Sequence, residues 1–568
     1  MQFLLPLLLS AIQAQAQSAD LVLLHGRIIT VDSTDRIAQA IAVRGQRIVA
    51  VGTDDEILKL AGPATRRIDL RGRAVTPGLI DAHIHFAPSG VERYTRLDVG
   101  YAAAKSVADI VRLVGDRARE TKTGGWVIGT GWDEGKLAEK RYVTATDLDA
   151  VSGDHPVSLV HTTGHYLVAN SAALRMAGIT RDTPDPPAGT IDRLPDGAPS
   201  GVLKESAMDL VNRHLPAVTA TERERAIERF AKELNAEGMT AIKDPGIDAD
   251  DWAAYRAVRG RNALPLRVFV LWSSGKTAAA ARELIASRAK MSRPYQSTGD
   301  DRLISGGVKV YMDGSGGGRT AWMWQPWNKN TTEVDGTNTG YPTANPDTLR
   351  ALIRMYHDAG MHVSVHSIGD RAIDWTVGSF EAALAAKPTR GLRHGIIHAN
   401  IPTDSAIATM ARLEREYDAA YPEPSATFTW YIGDVYAPNF GARSRRLNPF
   451  ATFLKNGIHW ANGSDYSVTP FPARYGIWAA IARETLLNAP GDPFGRDESV
   501  DVRAALRAVT IWAAHQIFLE KKIGSIEVGK YADLAVWDRD PYTVPTADLK
   551  EMRCELTVFN GKVVFEKQ

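Results

Sequence analysis

The residues best placed to do chemistry are four histidines, a lysine and an aspartate, each near the end of an apolar run. His83 and His85 stand two apart, and in extended backbone positions i and i+2 face the same side, so both imidazoles can reach one metal ion. Taken alone, the pair reads equally well as buried structural histidines. Its place changes that reading: it follows Pro77-Gly-Leu-Ile-Asp81, at the C-terminal end of a strand-like run, where barrel enzymes gather their active sites. His366 closes Val363-Ser-Val-His366, and His398 closes Gly395-Ile-Ile-His398. Two such histidines on successive runs, in register with His83 and His85, point to convergence on metal. Asp465, in Ala461-Asn-Gly-Ser-Asp465, is either a ligand or a turn or helix N-cap. Lys309, in Gly307-Val-Lys-Val-Tyr311, would be costly if buried and charged. It is either a surface or ion-paired lysine, or one carbamylated by CO₂ into a carboxylate that bridges two cations.

These residues need a frame that brings strand ends together. Eight apolar runs alternate with helical stretches such as Thr221 to Glu237 and Asp347 to Ala359. The runs start at Ala74, Met239, Leu266, Gly307, His362, Gly395, Ala426 and Ile458. Continuous apolar strands separated by helices fit a parallel barrel. The expected fold is α/β, a (β/α)₈ TIM-type barrel over 74–510, with an inserted subdomain at about 89–219. Short β-branched runs at 18–73, and again in 511–568 after a helix, predict a small β-sandwich built from both chain ends. Asn560-Gly561 marks a hairpin in the second of these segments.

Composition narrows the function. Lys+Arg of 67 against Asp+Glu of 66 leaves a net charge of +1 without a basic arm, which argues against nucleic acid and anionic membranes and for a small-molecule substrate. Cys554 is the only cysteine, so an intrachain disulfide and a Cys-rich zinc site are excluded. Residues 1–17 combine an apolar run, too short to span a bilayer, with Ala14-Gln-Ala16. They read as a secretory leader, despite lacking an early Lys or Arg. The expected location is periplasmic or secreted, with the cytoplasm as the alternative if the leader reading fails, and no membrane contact after leader removal. A homodimer is compatible with the chain.

Pro77-Gly-Leu-Ile-Asp-Ala-His-Ile-His85 resembles the signature of the amidohydrolase superfamily. Gly131-Trp-Asp-Glu134, Gly164-His165, Gly201-Val-Leu-Lys-Glu205, Asp313-Gly314, His366-Ser-Ile-Gly-Asp370, Gly463-Ser-Asp465 and Gly524-Ser-Ile-Glu-Val-Gly-Lys-Tyr-Ala-Asp533 resemble its amidohydrolase-3, or YtcJ-like, branch, which includes N-substituted formamide deformylases. The resemblance implies two divalent metal ions, zinc first. His83, His85 and Asp465 would bind one, His366 and His398 the other, and carbamylated Lys309 would bridge them. It also implies hydrolysis of C–N bonds other than peptide bonds, in linear amides or N-substituted formamides. A metal-activated hydroxide would attack the carbonyl, and Asp465 would shuttle the proton to the leaving nitrogen. His165 resembles a residue that polarises the substrate carbonyl, though an ordinary loop histidine is as good a reading.

Two stretches depart from relatives. Ile396-Ile397-His398 stands where relatives have Ile-Glu-His, and Thr429-Trp430-Tyr431 where many have a Gln-Pro pair. Both weaken transfer of a specific substrate more than of the metal site. Arg319, Trp322 and Trp324 follow the Lys309 run in a Gly-rich loop; they either line an aromatic pocket over the mouth or pack the loop down. A deaminase or cyclic-amide hydrolase of the same superfamily is a second reading, disfavoured by Lys309. A barrel that only binds is a third, disfavoured by the complete donor set.

Overall fold

The computed structural model describes residues 18–292, 300–328, 336–489 and 491–568; the expected leader at 1–17 lies outside them. Its centre is a curled parallel sheet of seven strands. In barrel order these are Leu79–Asp81, Met239–Ile247, Arg267–Ser273, Leu303–Tyr311, His362–Ser367, Gly395–His398 and Tyr421–Glu423. Their side chains are almost entirely buried, as expected for parallel strands covered by helices.

The barrel closes through backbone bonds of an irregular segment, not through an eighth regular strand. Ala461 and Gly463 donate to the carbonyls of Pro422 and Pro424 at 3.2 and 3.1 Å, while Ala82 donates to Asn462 at 3.1 Å and Asp465 to His83 at 2.7 Å. This corrects the expectation of a strand over Ile458–Ala461. A second correction concerns the run from Ala426, which is the short helix Thr427–Tyr431; the seventh strand lies just before it. The run from Ala74 also splits. Ala74–Pro77 pairs with Leu534–Trp537 in another sheet, and only Leu79–Asp81 enters the barrel.

Helices cover the barrel. Ala220–Ala236 starts at a capping box between Thr219 and Glu222 and buries Ile227, Phe230 and Leu234. Pro346–Asp358 starts at the Asn345 cap with Pro at its first position. Between the first two barrel strands, segments from Leu97 to Glu205 form a separate six-stranded sheet. Both chain ends build the sandwich: a four-stranded N-terminal sheet faces a six-stranded one that joins Arg27–Ile29, Ile37–Ala38 and Ala74–Pro77 to the C-terminal strands. Leu23, Ile41, Val75, Leu534 and Val558 form part of the core between them.

Candidate metal centre

His83 and His85 follow the first barrel strand directly, and the closing segment brings Asp465 to them. Asp465 Oδ1 lies 3.1 Å from His83 Nε2 and 3.3 Å from His85 Nε2, and the three donors form one compact group. The closeness depends on Gly463, where a Cβ would sit 2.5 Å from His83 Cβ and 2.7 Å from its backbone nitrogen. Asp81 ties the two segments together by accepting from the N–H groups of His83 and Ser464, both at 3.0 Å.

His366 and His398 face each other from neighbouring strands, with His366 Nδ1 3.1 Å from His398 Nε2. His366 Nε2 lies 2.9 Å from the Gly314 carbonyl. That oxygen can only accept, so this nitrogen carries the proton and Nδ1 offers its lone pair. Proteins fix the tautomer of metal-binding histidines in this way. Lys309 is fully buried on the fourth strand, and burial pushes its amine down to about 7.

The unpaired buried atoms of the donor set match what a bound metal ion would satisfy. Nδ1 of His83, Nδ1 of His398 and Nζ of Lys309 are buried without a hydrogen-bond partner among the described residues. Each such atom costs about 1–3 kcal/mol, and three together point to a ligand. Imidazole nitrogens with a carboxylate fit a divalent cation of the zinc type. Burial, with the nearby charge of Lys309 or of neighbouring histidines, depresses His83, His366 and His398, the last to about 3. The rings are therefore neutral, as ligands must be. Burial opposes ionisation of Asp465, yet its bonds to His83 and His85 hold it well below the usual carboxylate range. His398 and Asp465 take left-handed φ angles of 71° and 53°. Such conformations cost of order 1–3 kcal/mol and cluster at functional sites.

His85, His366, His398 and Asp465 border a chamber of about 480 Å³ at the C-terminal ends of the strands. His165 reaches it from the inserted sheet, its ring centroid 5.3 Å from that of His366. Its Nδ1 lies 3.1 Å from both oxygens of Glu205. Burial disfavours the charged ring, but Glu205 outweighs it and raises His165 above the usual imidazole value. Glu205 was not singled out in the sequence beyond its motif. It is positioned by antiparallel pairing of Pro199–Glu205 with Tyr166–Ala169, a contact across forty residues without a local signal. Tyr311 and Asp313 also border the chamber. Asp313 accepts the backbone N–H groups of Trp322, Ile368 and Gly369 at 2.8–3.0 Å and so anchors the loop.

Arg319, Trp322 and Trp324 lie outside the chamber lining. Trp322 is buried against Trp375 and Arg371. Trp324 is exposed and donates to Asp374 at 2.8 Å. Arg319 is buried, and its charge acts on Tyr142 of the insertion. Asp313 pins the start of this loop through the Trp322 N–H.

The model of the amidohydrolase family matches residues 66–565. The putative amidohydrolase YtcJ of Bacillus subtilis is 30% identical over 545 residues, covering 92% of this chain and 97% of that protein. The N-substituted formamide deformylase of Arthrobacter pascens is 28% identical, covering 97% of this chain and 99% of its own length. Among solved structures, a metal-dependent hydrolase from Pyrococcus horikoshii superimposes with a TM-score of 0.71 at 22% identity, covering 93% and 99% of the two chains. With this donor cluster at the strand ends of a TIM-type barrel, and a family match across nearly its whole length, the chain belongs to the amidohydrolase family.

Proposed function

We propose that this chain hydrolyses C–N bonds other than peptide bonds, in linear amides and foremost in N-substituted formamides. One observation carries the reading: three unpaired buried donor atoms lie together with an ionised Asp465, beside a chamber that also receives His165. The name of the Arthrobacter relative supports the formamide class.

His83, His85 and Asp465 would hold one divalent cation, most simply zinc, and His366 and His398 a second. Lys309 would join them as a carbamate, formed when its neutral amine adds to CO₂ and loses a proton. When bound, such cations supply Lewis acidity and acidify a water to near-neutral pH. Asp465 accepts a proton on its carboxylate and returns it to the departing nitrogen. His165, kept protonated by Glu205, donates toward the carbonyl oxygen as negative charge develops there. The polar wall around the donors suits a small acyl group such as formyl, with the amine portion toward the mouth.

The test is turnover of N-formyl, N-acyl amino acid, carbamate and ester substrates by zinc-loaded protein, with metal counted per chain. Formamide hydrolysis with two ions bound is expected. A fully loaded protein that leaves every amide intact would overturn the reading.

A further inference from the structure

A second cavity of about 350 Å³ adjoins the metal chamber, and Ser89, Glu92 and Ser467 line both. The helix Phe86–Thr95 begins directly after His85 and ends at Arg96. Ser89, Glu92 and Arg96 recur at i, i+3 and i+7, which places them along one helix face. Arg96 therefore lies about 10 Å beyond Ser89 along the axis. The remaining wall includes the aromatic rings of Tyr431, Phe471 and Tyr475.

The charges in this cavity are not equally committed. Arg93 is paired with Glu233 at 2.7 Å and with the Tyr466 hydroxyl at 3.2 Å. Asp98 accepts the Gly100 N–H at 2.8 Å. Glu92 accepts from the Ser467 hydroxyl at 3.2 Å, and burial pushes its carboxyl up. Arg96 differs. Among the described residues its guanidinium makes no hydrogen bond or ion pair, and Glu92 and Glu222 act on it only through space. A half-buried guanidinium without a partner offers a planar fork of donors that matches a carboxylate.

We propose that the second cavity receives the non-reacting end of the substrate, a flat aromatic group ending in a carboxylate that Arg96 binds. This rests on the amidohydrolase reading above only for where the reacting carbonyl sits. The substrate class becomes an amide whose amine portion carries a carboxylate across an aromatic ring.

Two experiments test it on the full-length, metal-loaded protein. In the first, N-formyl-4-(aminomethyl)benzoate is compared with its neutral isostere N-(4-nitrobenzyl)formamide. Wild type should prefer the carboxylate in kcat/KM by about tenfold or more. Arg96→Gln should abolish that preference through KM, and Arg96→Lys should restore part of it. An equal preference in wild type and Arg96→Gln would overturn the proposal. The second needs no turnover: calorimetry of 4-methylbenzoate against 4-methylbenzamide. Benzoate should bind about tenfold tighter to wild type and lose this advantage in Arg96→Gln. Benzoate bound equally by both proteins would mean that it sits on the metals, and would refute the role of Arg96. If neither formamide reacts while the calorimetric difference holds, the hydrolase reading fails and the anion site stands.

Discussion

Lys309→Met leaves a side chain of similar length on the fourth barrel strand but removes the amine from the centre of the donor cluster. Lys309 is fully buried and its Nζ has no hydrogen-bond partner among the described residues. Without metal, that unpaired polar atom costs about 1–3 kcal/mol. Methionine carries no such atom and adapts to irregular space. The metal-depleted variant should therefore unfold later than metal-depleted wild type, by about 1–3 °C for a chain of this size. Metal should reverse the order. An ion at a hundred times its dissociation constant adds about 2.7 kcal/mol to the folded state, and the variant lacks the group that joins the second ion to the first. Thermal unfolding in chelator and in zinc reads both effects, elemental analysis counts the ions, and kcat/KM should fall about a hundredfold or more. Two ions per chain in the variant, or a lower midpoint than wild type in chelator, would remove Lys309 from the centre.

Gly463→Ala should lose metal and about a hundredfold in activity while keeping most secondary structure, because its Cβ would press on His83 and displace it. Full metal content in that variant would show that the segment can shift freely. Glu205→Gln removes the carboxylate that raises His165, so the alkaline limb of the pH–kcat/KM profile should move to lower pH, with kcat down about tenfold; an unmoved limb would assign the limb to another group. Asp418 accepts from His515, Tyr421 and Arg393 at 2.9, 2.5 and 3.1 Å. Burial opposes ionisation, but these bonds hold the carboxyl well below its usual range. A lowered acid contributes stability above its unfolded value and loses it as pH falls. Asp418→Asn keeps the left-handed helix cap and should cost about 1.5–3 kcal/mol at neutral pH, with the gap closing below about pH 4. Urea unfolding at pH 7 and pH 3 measures it, and a gap independent of pH would contradict the assignment.

The donor cluster was legible because a parallel barrel puts its strand ends on one face, and a polar residue ending an apolar run marks that face. His366 and His398 needed only this rule. Strand boundaries were less legible where the backbone departs from regular pairing. Tyr421–Glu423 is three residues long and contains Pro422, a residue that removes a ladder donor, so the longer β-branched and aromatic run after it drew the assignment instead. At Gly78 one apolar run serves two sheets, with Thr240 packed where a Cβ would be, and periodicity does not report such a handover. The chamber wall was least legible. Glu205 arrives through pairing within the insertion, and Trp322 packs against Trp375 and Arg371 outside the chamber lining.

The origins of the site residues separate chemistry from specificity. Five of the six presumed ligands sit on or directly after barrel strands, and Asp465 is held by the closing segment, so their positions are set by the hydrogen bonds that close the barrel. Moving one of them strains the fold itself. His165 and Glu205 come from the inserted sheet. Arg96, Tyr431 and Tyr475 come from the ends of three helices, which pair with no barrel strand. Substitutions there change what the cavities accept at little cost to the barrel, since they break no ladder bond and no ligand contact. It follows that a change in substrate should be reachable through Arg96 and its aromatic neighbours with metal content intact. A change at His83, His366 or Asp465 should cost metal, activity and stability together.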